Sequence, residues 1–100
     1  MTELEALGRN YRTAFLRYLS RRDEPPLHTG YEIGRSAMEA RISLLDLVRA
    51  HHEVLLEVLR DTSRQELTAV ATAAADFLLE VLASYDMAQR GLGPEPSAGN

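Results

Sequence analysis

The apolar positions of the chain fall into four blocks, each repeating at steps of three and four residues and each bounded by a start or stop signal. In the first, Leu4, Leu7, Tyr11, Ala14, Phe15, Tyr18 and Leu19 share one helical face. Thr2 and Glu5 stand ahead of it at capping-box spacing, where each side chain satisfies a donor of the other's backbone. The prolines of "DEPP" at 23–26 stop this helix near Arg22, because a residue before proline avoids the α region. Pro26 fits the first turn of a second helix, and Leu27, Tyr31, Gly34 and Met38 follow at steps of four, three and four. A glycine costs about 1 kcal/mol in a helix interior, so Gly34 predicts close approach of another backbone.

The third block opens with "ISLLDL", in which Ser43 caps, Asp46 answers from the third helical position and Ile42 staples onto Leu47. The fourth opens in the same way with Ser63 and Glu66. It carries Leu67, Val70, Ala74, Phe77, Leu78, Val81, Leu82, Tyr85 and Ala88 on one side, and Arg90-Gly91 closes it. Links of only a few residues between four helices predict an all-α, compact four-helix domain over residues 1–91, with antiparallel neighbouring helices. "LGPEPSAGN" at 92–100 reads as a disordered tail or linker.

The third block is apolar over most of its circumference. Advancing about 100° per residue from Leu44 gathers Asp46, Arg49, Glu53, Glu57 and Arg60 on one side; the rest is an apolar arc roughly 200° wide. Both neighbouring histidines lie in that arc, His51 in line with Leu44, Leu47, Val54 and Val58, and His52 in line with Leu45, Val48, Leu55 and Leu59. Adjacent helical residues point about 100° apart and do not converge on one ion, and no ligand stands at the i+4 spacing of a helical metal site. A phosphoryl-accepting histidine of a four-helix phosphotransfer domain is exposed and followed by lysine three positions on. The chain has no lysine, and residues 54 and 55 are Val and Leu. Both histidines are therefore expected to be structural packing residues, with His52, nearer the polar boundary, partly exposed. The fourth helix adds a second apolar strip, Ala75, Leu79, Ala83 and Met87, bordered by Thr72, Asp76, Glu80, Asp86 and Arg90. Such surplus marks a self-association or partner surface.

Composition narrows the function classes. A net charge of −4 opposes nucleic-acid binding, which asks for a basic stripe. Without cysteine there is no disulfide framework and no thiolate zinc site. No apolar run approaches membrane-spanning length and the N-terminus has no signal-peptide core, so a cytoplasmic protein without membrane contact is expected. No nucleophile elbow, glycine-rich phosphate loop or aspartate cluster is present, so no catalytic residue, metal or cofactor is assigned.

The order "FLRYL", then "LHTGYEIGRSAMEARISLLDLVRAHHEVLLEVL", then "FLLEVLASYDMAQRG" resembles the N-terminal domain of the RsbU-type serine phosphatases. Arg17-Tyr18, Leu27, Arg35, His51, and Tyr85 with Met87-Ala88 fall in that family's order and spacing, over residues 1 to about 91. Those enzymes act in the partner-switching cascades that control bacterial stress sigma factors. The resemblance implies a four-helix domain that forms a homodimer and binds a switch-kinase-like activator, which in the family stimulates a separate phosphatase domain. Carried onto this chain, it places partner contacts at the start of the second helix, near His28, and on the outer face of the fourth, at Leu79 and Ala83. The phosphatase domain is not part of the sequence, so the chain is not expected to be an enzyme by itself. The alternatives are a histidine phosphotransfer protein and a pure dimerisation module.

Overall fold

The computed structural model describes residues 2–21 and 24–91. They form α1 (Glu3–Arg21), α2 (Glu24–Glu39), α3 (Leu44–Arg60) and α4 (Leu67–Gln89), with a 3₁₀ turn at Arg64–Glu66 ahead of α4. No strand occurs among the described residues. The expected stop at Arg22 and the tail 92–100 lie outside them.

The helix starts follow from the caps. At the head of α1 the Thr2 N–H donates to Glu5 Oε1 at 3.0 Å, and the Glu5 N–H donates to Thr2 Oγ1 at 3.1 Å. Ser43 Oγ accepts from the Asp46 N–H at 3.1 Å and opens α3. α2 begins at Glu24, so both prolines sit in its first turn, where neither N–H would have had an intrahelical partner. Ser63 behaves differently from the sequence expectation. Its Oγ donates to the Glu66 carboxylate at 3.1 Å rather than accepting from the backbone, and the Glu66 N–H bonds the Ser63 carbonyl three residues back. That shorter bond winds one tight turn, and the α-helix proper starts at Leu67.

The exits use the left-handed region. Gly91, with φ +77°, ends α4 as expected. α2 ends instead on Arg41, at φ +61°. There the Ile42 N–H reaches the Ala37 carbonyl at 2.9 Å and the Arg41 N–H reaches that of Met38 at 3.0 Å, a Schellman closure built without glycine.

One apolar core joins all four helices. Tyr11 and Phe15 of α1, Leu47 of α3, and Phe77 and Val81 of α4 are wholly buried, with Ile33 and Ala37 of α2 beside them. The closest pair is α2 with α4. A Cβ on Gly30 would stand 2.9 Å from the Phe77 ring, and one on Gly34 would overlap the Val81 carbonyl oxygen and the Ser84 hydroxyl. The close approach that Gly34 predicts is thus present, and Gly30, one turn earlier, extends it. As the α2 number rises from 30 to 34, its neighbours on α4 advance from Phe77 to Ser84, so the two helices run in the same sense. Tyr85 Oη, donating to the Ile42 carbonyl at 2.7 Å, fixes the α2–α3 link against α4.

One sequence expectation is overturned. Within Arg64–Gln89 an 18-residue window reaches a mean hydropathy of 1.6, long and apolar enough to cross a membrane by length and composition. Asp76 and Glu80 interrupt it, which hides it from a search for uninterrupted apolar runs. A carboxylate at a bilayer centre costs about 2.5–3.5 kcal/mol. The face carrying Phe77, Val81 and Ser84 packs into the bundle, while only 28 % of the apolar window is buried.

Candidate functional site

Two histidines that adjoin in sequence have separate fates. His51 is 6 % exposed. Its ring stacks on Phe15 at 5.1 Å between centroids and meets Tyr11 edge-on at 5.7 Å. Tyr11 Oη lies 2.7 Å from His51 Nδ1. Burial, and secondarily the neighbouring His52, pushes the His51 pKa down to about 4, while burial pushes the Tyr11 hydroxyl up. Both shifts select one arrangement, in which the Tyr11 O–H donates to a neutral His51 Nδ1. The expected packing role of His51 is what the structure shows, and its hydrogen-bond partner satisfies a nitrogen that would otherwise be buried without one. His52, one residue on, is exposed. Among the described residues no group of three or more His, Asp or Glu side chains is placed to hold a metal ion.

Concave surface exists between α1 and α2, a groove of about 500 Å³ floored by Leu7, Ala14, Ile33 and Ala37. Of the hydroxyls that line it, Thr13 Oγ1 donates to the Arg9 carbonyl and Thr29 Oγ1 to that of Pro25, each at 3.1 Å. Glu3, Arg17, Glu32 and Ser36 are also among its lining residues.

The surplus strip of α4 is where the sequence placed it. Leu79 is 65 % exposed, and Ala75 and Ala83, one turn to either side, are exposed as well. Met87 is half-buried, so the strip tapers into the bundle at its C-terminal end. Glu80 edges it, and at the foot Asp86 is held by Arg90 at 3.2 Å. His28, on the first turns of α2, is exposed; its ring stacks on Tyr31 at 6.1 Å and its Nε2 lies 3.5 Å from Glu32. It is thus a surface residue with local partners, available to a neighbour.

The sequence pattern does not single out a second open surface. Leu45, at 60 % exposure, and Leu56, at 43 %, project from α3 on either side of the exposed His52. The wide apolar arc of α3 is the signal that points to it. The arc suggests an interior helix, whereas α1 covers only the half carrying Leu47, His51 and Val54.

The model of one family, the N-terminal domain of phosphoserine phosphatase RsbU, matches residues 9–88. The chain belongs to this family. No curated protein and no solved structure matches it significantly. Membership points to a regulatory role in sigma-factor signalling, and the match covers an RsbU N-terminal domain without a phosphatase catalytic domain. In this RsbU N-terminal domain, the aromatic and histidine positions that carry the resemblance are interior. Tyr18, His51 and Tyr85 are buried, and Arg35 is half-buried beside Glu39 at 3.5 Å. Those aromatic and histidine positions mark the core that builds the bundle, while Arg17 of the same pattern is exposed.

Proposed function

We propose that the chain is a regulatory protein-binding module, non-enzymatic by itself, cytoplasmic and homodimeric. In this reading consecutive helices run antiparallel, and a switch-kinase-like activator docks on His28 at the start of α2 and on Ala75, Leu79, Ala83 and Met87 of α4. Docking is then passed to a serine phosphatase or a related output in a bacterial stress response.

The observation that carries this reading is Leu79. A large apolar side chain stands 65 % exposed on a helix whose opposite face is wholly buried at Phe77 and Val81. The exposed alanines flanking it keep the strip flat enough for another helix or sheet to lie on. The test is Leu79→Asp, mixed with a switch-kinase homologue from the same organism and followed by light scattering. The variant keeps the helical circular dichroism of the parent, because nothing buried changes, and loses the complex. A variant that binds as the parent does would remove α4 from the docking surface.

A further inference from the structure

α3 carries two seams. Leu47, His51, Val54 and Val58 form the one that faces the bundle. The other is Leu45, Val48, His52, Leu55 and Leu59, at steps of three, four, three and four. Such spacing over two heptads is the pattern of a helix that pairs with another helix. In the second seam Leu45 and His52 are exposed and Val48, Leu55 and Leu59 are half-buried, Leu55 packing in part against the core of its own bundle. We infer that this seam pairs antiparallel with the same seam of a second copy of the chain, the two α3 helices crossing at His52. The inference deepens the homodimer of the proposed function by naming its contact surface, and it leaves the α4 strip to the activator.

The charges beside the seam choose the occupant and its direction. Arg49, Glu53, Asp46 and Arg60 flank the seam on its outer side. Among the described residues Arg49, Glu53 and Asp46 form no ion pair within the chain. With His52 on a two-fold axis, Arg49 lies three residues before the axis and the partner's Glu53 falls one residue before it. The offset is two residues, about 3 Å along the helix. Asp46 and the partner's Arg60 fall six and eight residues before the axis, again about 3 Å apart. The symmetry repeats both pairs, giving four opposite-charge contacts. A parallel two-fold pairing would carry this charged flank to opposite sides of the two helices, so neither Arg49 nor Glu53 would meet its opposite charge. A polar residue at the centre of an otherwise apolar seam also fixes register, and His52 holds that position.

The test is sedimentation equilibrium of the full chain and of three surface variants, with circular dichroism as the check on folding. The parent is expected to dimerise. Leu45→Glu and Arg49→Glu each raise the dissociation constant by about tenfold or more. The swap Arg49→Glu with Glu53→Arg in one chain restores it, because each altered residue meets its altered counterpart across the axis. A dimer indifferent to Leu45→Glu and Arg49→Glu, or a swap that restores nothing, would overturn the antiparallel α3 seam and leave the homodimer standing. A chain that stays monomeric would remove both, while leaving the Leu79 docking test unaffected.

Discussion

Where α2 meets α4, Gly30 and Gly34 leave no space for a side chain, and the helix backbones themselves come together against Phe77, Val81 and Ser84. Where α1 meets α3, the contact is made by rings: Phe15 stacks on His51, and the Tyr11 hydroxyl closes on its Nδ1 at 2.7 Å. The first seam is held by shape and has no slack. The second is held by a buried polar pair whose worth depends on protonation. Sequence-distant helices are joined in both, yet the two should fail under different insults.

The largest effect is expected from one methyl group at the first seam. Gly34→Ala gains about 1 kcal/mol of helix propensity. The added Cβ, however, collides with the Val81 carbonyl, a backbone atom that does not yield as a flexible side chain would. Overpacking of this kind costs up to about 3 kcal/mol and more when a whole helix must move. A net loss of about 2–3 kcal/mol in urea unfolding is the expected outcome. Gly8→Ala supplies the internal comparison. Gly8 lies inside α1, and a methyl group there would have nothing within 4 Å, so the same substitution should raise stability by up to about 1 kcal/mol. Equal signs at the two positions would mean that α2 and α4 are not in backbone contact.

The second seam should respond to acid. His51 in the folded chain titrates near 4, below its ordinary value of 6.5, so between those values the unfolded chain takes up the proton and the folded chain does not. Stability is therefore full above about pH 6.5 and declines as the pH falls toward 4. A shift of this size makes the loss between about pH 7 and pH 5 about 2 kcal/mol. Carboxylates titrate in the same range, so the measurement is a difference. His51→Met removes the titrating ring, and its stability should fall less steeply with acid than the parent's, whatever its absolute value. Parallel pH profiles for the two would show that His51 titrates alike in the folded and the unfolded chain, and that its burial does not hold it neutral.

What was legible in the sequence follows the same division. Caps, periodicities and the mid-helix Gly34 are local signals, and they located the four helices and pointed to a close backbone approach. The neighbours of His51 were not local. Tyr11 lies forty residues away and is marked only as one apolar-face aromatic among several. The width of the α3 arc was visible, but width alone does not tell a helix enclosed by its own bundle from one half open at Leu45 and Leu56. The α4 strip was legible because Phe77, Val81 and Tyr85 already completed one face, which left Leu79 without an interior to enter.

The smallest effect belongs to the joint between the two seams, where sequence rules gave no warning. Arg41 takes φ +61° at the exit of α2, a conformation that costs a side-chain-bearing residue about 1–2 kcal/mol. The Schellman bonds of Arg41 and Ile42, with Tyr85 gripping the Ile42 carbonyl, hold it there. Arg41→Gly removes the backbone strain and leaves those bonds intact. Against this, glycine adds about 0.4–1 kcal/mol of chain entropy to the unfolded state. The two contributions leave a gain of about 0.5 kcal/mol, seen as a small rise in the urea midpoint with an unchanged slope. The substitution leaves both seams as they were, so the Gly34→Ala loss and the His51 acid slope should reappear unaltered in its background. A change in either would show that the link sets the position of α3 against α1, and that the two seams are not independent.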